Sequence, residues 1–274
     1  MAVPELPEVE NTRQYLIRSG LVGRGLGAPE ITWANTIREP SVGEFIEGVA
    51  GRRVADVHRR GKYLIAPLDD EQHLVLHLGM TGRLRIHDGD SEPPPMVRHT
   101  FPLDDGREMR FIDPRKFGHL WLLSDPADAM SQMGPEPLEP SFTDDVLADA
   151  LAGRKAPLKA LLLEQSVVAG LGNLYVDESL FLAGIHPERS GNTLSEAETS
   201  RLHSAIVTAL TRSTEAYAAA RDAEWPDPPT ALSPWTIPRG PNLPCPRCGA
   251  EVQLLRVRNR STWYCPDCQP VARH

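Results

Sequence analysis

Apolar and polar positions follow two regimes along this chain. Val9, Thr12, Tyr15, Leu16 and Ile17 keep helical spacing until Ser19-Gly20, so a helix is expected there. Its lead-in, Pro4-Glu5-Leu6-Pro7-Glu8, holds two prolines that fix φ and withhold backbone donors, which predicts a stiff, extended or turning entry. From about residue 30 to 124 the apolar runs shorten. Val54–Val57, Tyr63–Ala66, Leu74–Leu78, Leu84–Ile86, Met109–Ile112 and His119–Leu123 read as strands separated by Gly, Asp and Pro clusters, the pattern of an antiparallel sandwich or barrel. The Pro93-Pro94-Pro95 stretch is expected to be an exposed loop. After Gly134-Pro135-Glu136-Pro137, helical spacing takes over through Val146–Leu151, Leu158–Leu163, Leu174–Leu182 and Leu202–Leu210, the last opened by a Ser195/Glu198 capping box.

These patterns predict an α+β, multidomain chain. Residues 1–133 form an N-terminal antiparallel β-sandwich with its helix, and 134–222 a helical domain. A stiff proline-rich linker follows over 223–238, and 239–274 is a short C-terminal module. Seven prolines between 226 and 244 carry the linker assignment. No internal repeat is visible.

Composition adds limits. With 274 residues and 41% hydrophobic content the chain can bury a substantial core. No apolar run approaches the roughly 20 residues of a membrane span, and the start lacks a signal-peptide pattern, so a cytosolic protein is expected. The net charge of −8 opposes binding to nucleic acid, but its distribution does not. Basic residues gather at Arg52, Arg53, Arg59, Arg60 and Lys62, at Arg107, Arg110, Arg115 and Lys116, and at Arg239, Arg247, Arg256, Arg258 and Arg260. Three such clusters in an acidic protein suggest one shared anionic partner.

The four cysteines form two pairs, Cys245-Pro-Arg-Cys248 and Cys265-Pro-Asp-Cys268, separated by sixteen residues. This spacing suits two knuckles offering four thiolates to one tetrahedral zinc, against the alternatives of two disulfides or free thiols. Four thiolates leave no open coordination position, so the expected zinc is structural. A tail of some thirty residues has too little apolar surface to fold without such a staple. Elsewhere, Gly170-Leu171-Gly172-Asn173 breaks one helix and opens another, which bares backbone N–H groups suited to phosphate; a plain glycine C-cap reads the same way. Met80 on the turn 77–82, and Arg115 and Phe117 on the turn 113–118, are either core residues or turn-tip side chains of the kind wedged between base pairs.

Taken together, PELPEVE at 4–10, RRGKYL at 59–64, HLGMTG at 77–82, DPRKFG at 113–118, GLGNLYVDESLF at 170–181 and the closing CxxC hairpin resemble the formamidopyrimidine-DNA glycosylase family. These base-excision repair enzymes are related to endonuclease VIII, and PELPEVE favours the formamidopyrimidine branch. The resemblance spans nearly the whole chain and implies a helix-two-turns-helix domain at 134–222. It implies one structural Zn2+ and, as partner, double-stranded DNA with a damaged base or abasic site; a monomer is expected.

Position by position, the resemblance implies a catalytic set of Pro4, Glu5, Glu8 and Lys62. Pro4 matches the amine nucleophile that attacks C1′, Glu5 the proton carrier, Glu8 the supporting acid and Lys62 a phosphate contact beside the lesion. Met80, Arg115 and Phe117 match the triad that fills the hole left by a flipped base, with Lys116 beside them. Lys159 and Asn173 match phosphate clamps, and Arg260 the arginine of the zinc hairpin that grips the same backbone. Cys245, Cys248, Cys265 and Cys268 match the metal ligands.

Two departures stand out. Val3 precedes Pro4, so its nitrogen lies in a peptide bond and cannot form an imine unless processing frees it. Ala2 and Lys62 are the other available amines, and water positioned by Glu5 is the non-covalent route. The segment 213–240 also lacks the Gly-Gly-Thr-Thr type stretch of the family's loop over the flipped base. The expected activity is removal of an oxidised or ring-opened purine, with AP-lyase (β,δ-elimination) chemistry if an amine is available. The alternatives are a monofunctional glycosylase for another lesion, or a non-catalytic binder of abasic or damaged DNA.

Overall fold

The first helix starts three residues earlier than its apolar spacing suggests. In the computed structural model, which describes residues 3–220 and 236–271, α1 covers Leu6–Arg18. Glu5 and Glu8 close a reciprocal capping box, with the Glu5 N–H donating to Glu8 Oε2 at 2.9 Å. Pro7 falls in the first turn, where no intrahelical donor is needed.

The strands that follow are β1 (Glu30–Ile31), β2 (Ile37–Glu39), β3 (His58–Arg60), β4 (Tyr63–Pro67), β5 (His73–His77), β6 (Arg83–Asp88), β7 (Val97–Pro102), β8 (Arg107–Ile112) and β9 (His119–Leu123), with α2 (Val42–Val49) between β2 and β3. They form two sheets of order β1-β7-β8-β6 and β2-β9-β5-β4-β3, antiparallel except for the β2–β9 pair. Leu84, Phe101, Met109 and Phe111 of the first sheet share one core with Leu64, Ala66, Leu74, Leu76, Leu120 and Leu122 of the second. Val9 and Leu16 of α1 join that core. The expected sandwich is therefore present, and Pro93 to Pro95 lie in a segment without regular structure.

Local differences have local causes. The expected strand 54–57 makes only a single bridge, Val54 to Leu68, and pairing begins at His58. Val54 and Val57 are both buried but stand three apart, which a strand period of two cannot satisfy. β7 escaped the periodicity because its inward residues are His99 and Phe101, and a buried histidine hides the alternation. α2 escaped because it is short and holds two glycines; a side chain at Gly48 would meet Leu122.

The chain divides into two compact units, the first running through Ser131 and the second starting at Gln132. In the second, α3 (Asp144–Leu151), α4 (Leu158–Leu162), α5 (Asn173–Ala183) and α6 (Glu196–Ala219) pack together, and the Ser195/Glu198 capping box opens α6 as expected. Its hairpin pairs β10 (Gln253–Val257) with β11 (Arg260–Tyr264). The hairpin packs on α5: Phe181 shares a core with Ile237, Cys245, Val252 and Cys265. Of the linker expected at 223–238, residues 223–235 lie outside the described residues. The N–H groups of Thr236 and Ile237 donate to the two carboxylate oxygens of Glu178 at 2.7 and 3.1 Å. Among the described residues no helix is long and apolar enough to cross a membrane.

Candidate DNA-repair site

In the first unit the capping box that starts α1 also buries its acids. Pro4, Glu5 and Glu8 are all buried, the two glutamates almost completely. Ala2, the alternative amine, lies outside the described residues. Lys62 sits in the two-residue turn between β3 and β4, where Gly61 takes φ +52°. That hairpin is tied to α1 through Glu10, whose carboxylate accepts from Arg13 and Gln14 and pairs with Arg59 at 3.2 Å. Burial opposes the charge on Glu10, yet the bonds from Arg13 and Gln14 and the charge of Arg59 hold it below the usual carboxylate range. Half-buried His77 faces the same region. Burial, then the charge of Lys62, pushes it down to about 4, so it is a neutral acceptor there, and its Nδ1 takes the Gly79 N–H at 3.1 Å.

Met80 and the Arg115–Phe117 segment lie on two turns braced back to back. Asp113, fully buried, accepts from Thr81 Oγ1 at 2.5 Å and from the Gly118 N–H at 2.8 Å. Thr81 Oγ1 in turn accepts the Arg115 N–H at 3.2 Å. Gly79, at φ +63°, brings its backbone so close to Phe117 that a Cβ would overlap the Phe117 carbonyl. Phe117 is 46% exposed on this rigid support, with the Arg115 guanidinium 4.9 Å from its ring centroid. Asp113 and Thr81 were not singled out from the sequence, although both stand inside motifs quoted above. Lys116 is turned elsewhere: its Nζ lies 3.5 Å from the centroid of the Trp33 ring.

The second unit contains the other expected contacts. Gly170 at φ +82° and extended Gly172 turn the chain into α5, whose first residue is Asn173. Gln165, another residue the sequence did not mark, shapes this turn by accepting the Gly170 N–H and donating to the Leu171 carbonyl. Asn173 Nδ2 donates to the Ser261 carbonyl at 3.1 Å, which joins the turn to the zinc hairpin. Arg260, adjacent on that hairpin, is exposed and makes no side-chain hydrogen bond or ion pair among the described residues.

Lys159 departs from its expected role. It is 0% exposed, and its Nζ donates to Asp177 Oδ1 at 2.6 Å and to the Ser261 carbonyl at 2.9 Å. Asp177 also takes Arg239 at 2.9 Å and the Trp263 N–H at 3.2 Å. The lysine is a buried tie between helices and hairpin, with no surface on which to meet a phosphate. Its tertiary partners, Asp177 and the Ser261 carbonyl, decided this.

The four cysteine Sγ atoms lie within 4.8 Å of one another. The pairs Cys245–Cys268 and Cys248–Cys265 stand 3.8 and 3.5 Å apart, close to the roughly 3.8 Å edge of a tetrahedron with Zn–S bonds of about 2.3 Å. The donor set is all sulfur and closed, so it fits a structural Zn2+ held by Cys245, Cys248, Cys265 and Cys268.

A sandwich with an exposed phenylalanine on a braced turn, and a second unit that joins a helix-opening turn to a four-cysteine hairpin, have the architecture of a DNA-repair protein. The chain belongs to the formamidopyrimidine-DNA glycosylase family. Residues 3–120 match the formamidopyrimidine-DNA glycosylase N-terminal domain, 133–222 its H2TH domain, and 242–271 the zinc finger found in these enzymes and isoleucyl-tRNA synthetases. The formamidopyrimidine-DNA glycosylase of Symbiobacterium thermophilum is 41% identical over 98% of this chain and 90% of its own length. That of Protochlamydia amoebophila is 37% identical over 97% and 99%. Among solved structures, a Lactococcus lactis G226P mutant in complex with DNA containing Fapy-dG aligns with TM-score 0.89 and 32% identity, covering 98% of this chain and all of that one. The Lactococcus lactis enzyme bound non-covalently to DNA with an abasic site aligns with TM-score 0.87 and 32% identity, over 97% of this chain and all of that one.

Proposed function

We propose that this chain is a base-excision DNA glycosylase that flips an oxidised or ring-opened purine out of duplex DNA and releases it. The observation that carries the reading is the braced wedge: an exposed phenylalanine with an arginine on its face, locked by Asp113, Thr81 and Gly79. C1′ chemistry is out of reach inside the stack, and a rigid apolar side chain occupying the vacated space stabilises the flipped state. The relatives' names, and the Fapy-dG and abasic DNA bound by the Lactococcus lactis proteins, support the same substrate class. Arg115 then pairs with the orphaned base, while Asn173 and Arg260 hold backbone phosphate. The structural zinc keeps the hairpin folded and takes no part in the chemistry.

The covalent route needs a free amine. If the Pro4 nitrogen is released from Val3, its lone pair attacks C1′, the glycosidic bond breaks toward the base, and the base leaves with a proton. Glu5, carrying a proton, gives it to the ring oxygen as the sugar opens, leaving a cationic iminium ion that activates β- and then δ-elimination of the flanking phosphates. Glu8 holds the Glu5 backbone, and Lys62 steadies the phosphate beside the lesion. While Pro4 remains acylated, Ala2 or Lys62 must act instead, or Glu5 directs water and no lyase step follows. The cytosol is the compartment this reading assigns.

Borohydride trapping on a duplex with one abasic site tests the route, using protein whose N-terminus is defined by mass spectrometry. A covalent adduct is expected, and peptide mapping identifies its amine. Tight binding without an adduct rejects the lyase mechanism. Base release from duplexes carrying a Fapy or another damaged base in place of the abasic site then marks a monofunctional glycosylase, and no release from any of them a binding protein.

A further inference from the structure

The tip of the zinc hairpin holds a residue whose backbone conformation disfavours it. Val257 pairs with Arg260, so Arg258 and Asn259 are the two central residues of the turn, with φ +43° and +62°. Such a turn is relaxed with asparagine or glycine at its centre. Asn259 suits it, but Arg258 carries a Cβ and a long side chain in the left-handed region, where L-residues are strained. Strain of this kind persists where the side chain has a task.

The side chain is aimed rather than loose. Arg258 approaches Glu164 Oε1 at 3.4 Å, and the other oxygen of that carboxylate is taken by Arg154. One anion between two guanidiniums leaves an excess of positive charge, and the Arg258 side chain stays 60% exposed. Just past the turn, in β11, Ser261 accepts from Asn173, so Arg258 stands at the same end of the hairpin as the proposed phosphate clamp. Two other arginines of this region are occupied elsewhere: Arg239 on Asp177, and Arg247 on the carbonyls that end α5. Arg256 and Arg260 are also exposed on this hairpin, and Arg258 differs from them in being held at the hairpin tip by a carboxylate.

We propose that Arg258, positioned by Glu164, binds a further phosphate of the duplex backbone, beyond the one held at Asn173 and Arg260. This rests on the DNA-repair reading above. The contact is independent of sequence and lesion, so its signature is electrostatic: each phosphate contact contributes about 0.9 to the slope of log affinity against log salt.

The test compares the full-length, zinc-loaded parent with Arg258→Gly, Arg258→Lys and Glu164→Gln on an undamaged duplex and on the same duplex with one abasic site. Arg258→Gly relieves the turn as it removes the charge. It is expected to keep or raise the melting temperature, weaken both duplexes several-fold by the same factor, and lower the salt slope by about 0.9. Arg258→Lys should retain most of that slope. An unchanged slope in Arg258→Gly overturns the proposal. Equal losses of melting temperature in Arg258→Gly and Glu164→Gln, with parental DNA binding, also overturn it, because the pair then serves only to dock the hairpin. A parent that binds neither duplex rejects the repair reading itself, whereas a parental slope in Arg258→Gly beside a binding parent rejects this contact alone.

Discussion

Single residues show how burial reassigns chemistry that side-chain identity suggests. Lys159 carries a charge and matches a phosphate clamp, yet it is enclosed with Asp177. His99 illustrates the same rule for titration. Thr36 Oγ1 gives its proton to the Trp33 carbonyl at 2.8 Å, so His99 Nε2, 2.5 Å from that oxygen, must be the donor. Its Nδ1 is buried without a partner among the described residues, and the ring stacks on Phe111. Burial, with the nearby Arg98 charge, pushes His99 down to about 4. The unfolded chain, with an ordinary value near 6.5, therefore binds the proton more readily. This contribution is complete above about pH 6.5 and is lost as pH falls toward 4, amounting to about 3 kcal/mol. Urea midpoints at pH 7 and 4.5 should diverge more in the parent than in His99→Leu; an identical drop in both would assign the acid sensitivity elsewhere.

At the scale of elements, the proposed wedge belongs to two turns rather than to Met80, Arg115 and Phe117 alone. Each turn ends a strand of the five-stranded sheet or begins one, β5 before Met80 and β9 after Phe117, and those strands are hydrogen-bonded neighbours. Pairing of β5 with β9 is what brings the two motifs together. Phe117→Ala should cut the preference for an abasic over an intact duplex about 10-fold or more, with a smaller change in binding to intact DNA, given that a stacking aromatic is worth about 1–3 kcal/mol. Asn173→Ala should weaken both duplexes alike and lower the salt slope. Fluorescence anisotropy across a salt series separates the two patterns, and matching loss of preference in both variants would remove Phe117 from the wedge role.

Across the whole molecule, many of the cations in an acidic protein serve its own fold. Arg110 is buried on Glu108, Arg59 reaches Glu10, Arg52 and Arg53 meet Asp70 and Asp104, and Arg247 lies on Phe181. The basic clusters thus overstate the exposed positive charge, and Arg115, Arg258 and Arg260 are among the arginines that stay exposed. The metal has a similarly long reach, because in the hairpin it folds the Ser261 carbonyl accepts from Asn173 and the Trp263 N–H donates to Asp177. Zinc removal, verified by metal analysis, is expected to abolish DNA binding while the sandwich, which shares none of the four ligands, keeps its cooperative unfolding. Unaltered affinity after metal loss would show that the hairpin is not part of the clamp.

The sequence by itself determined what local chemistry controls. The sandwich and helical regimes follow from apolar period, the zinc knuckles from paired cysteines, and the start of α6 from Ser195 and Glu198. The motifs of the site were also legible, because each lies within a short continuous segment. Only the tertiary structure decided which of those residues face outward. Nothing in the sequence of α4 distinguishes a lysine at the surface from one closed over Asp177, which lies eighteen residues away. The brace from Thr81 to Asp113 and the approach of Gly79 to Phe117 likewise join segments more than thirty residues apart. Such contacts depend on strand register and core packing, to which the whole chain contributes, so no local pattern encodes them.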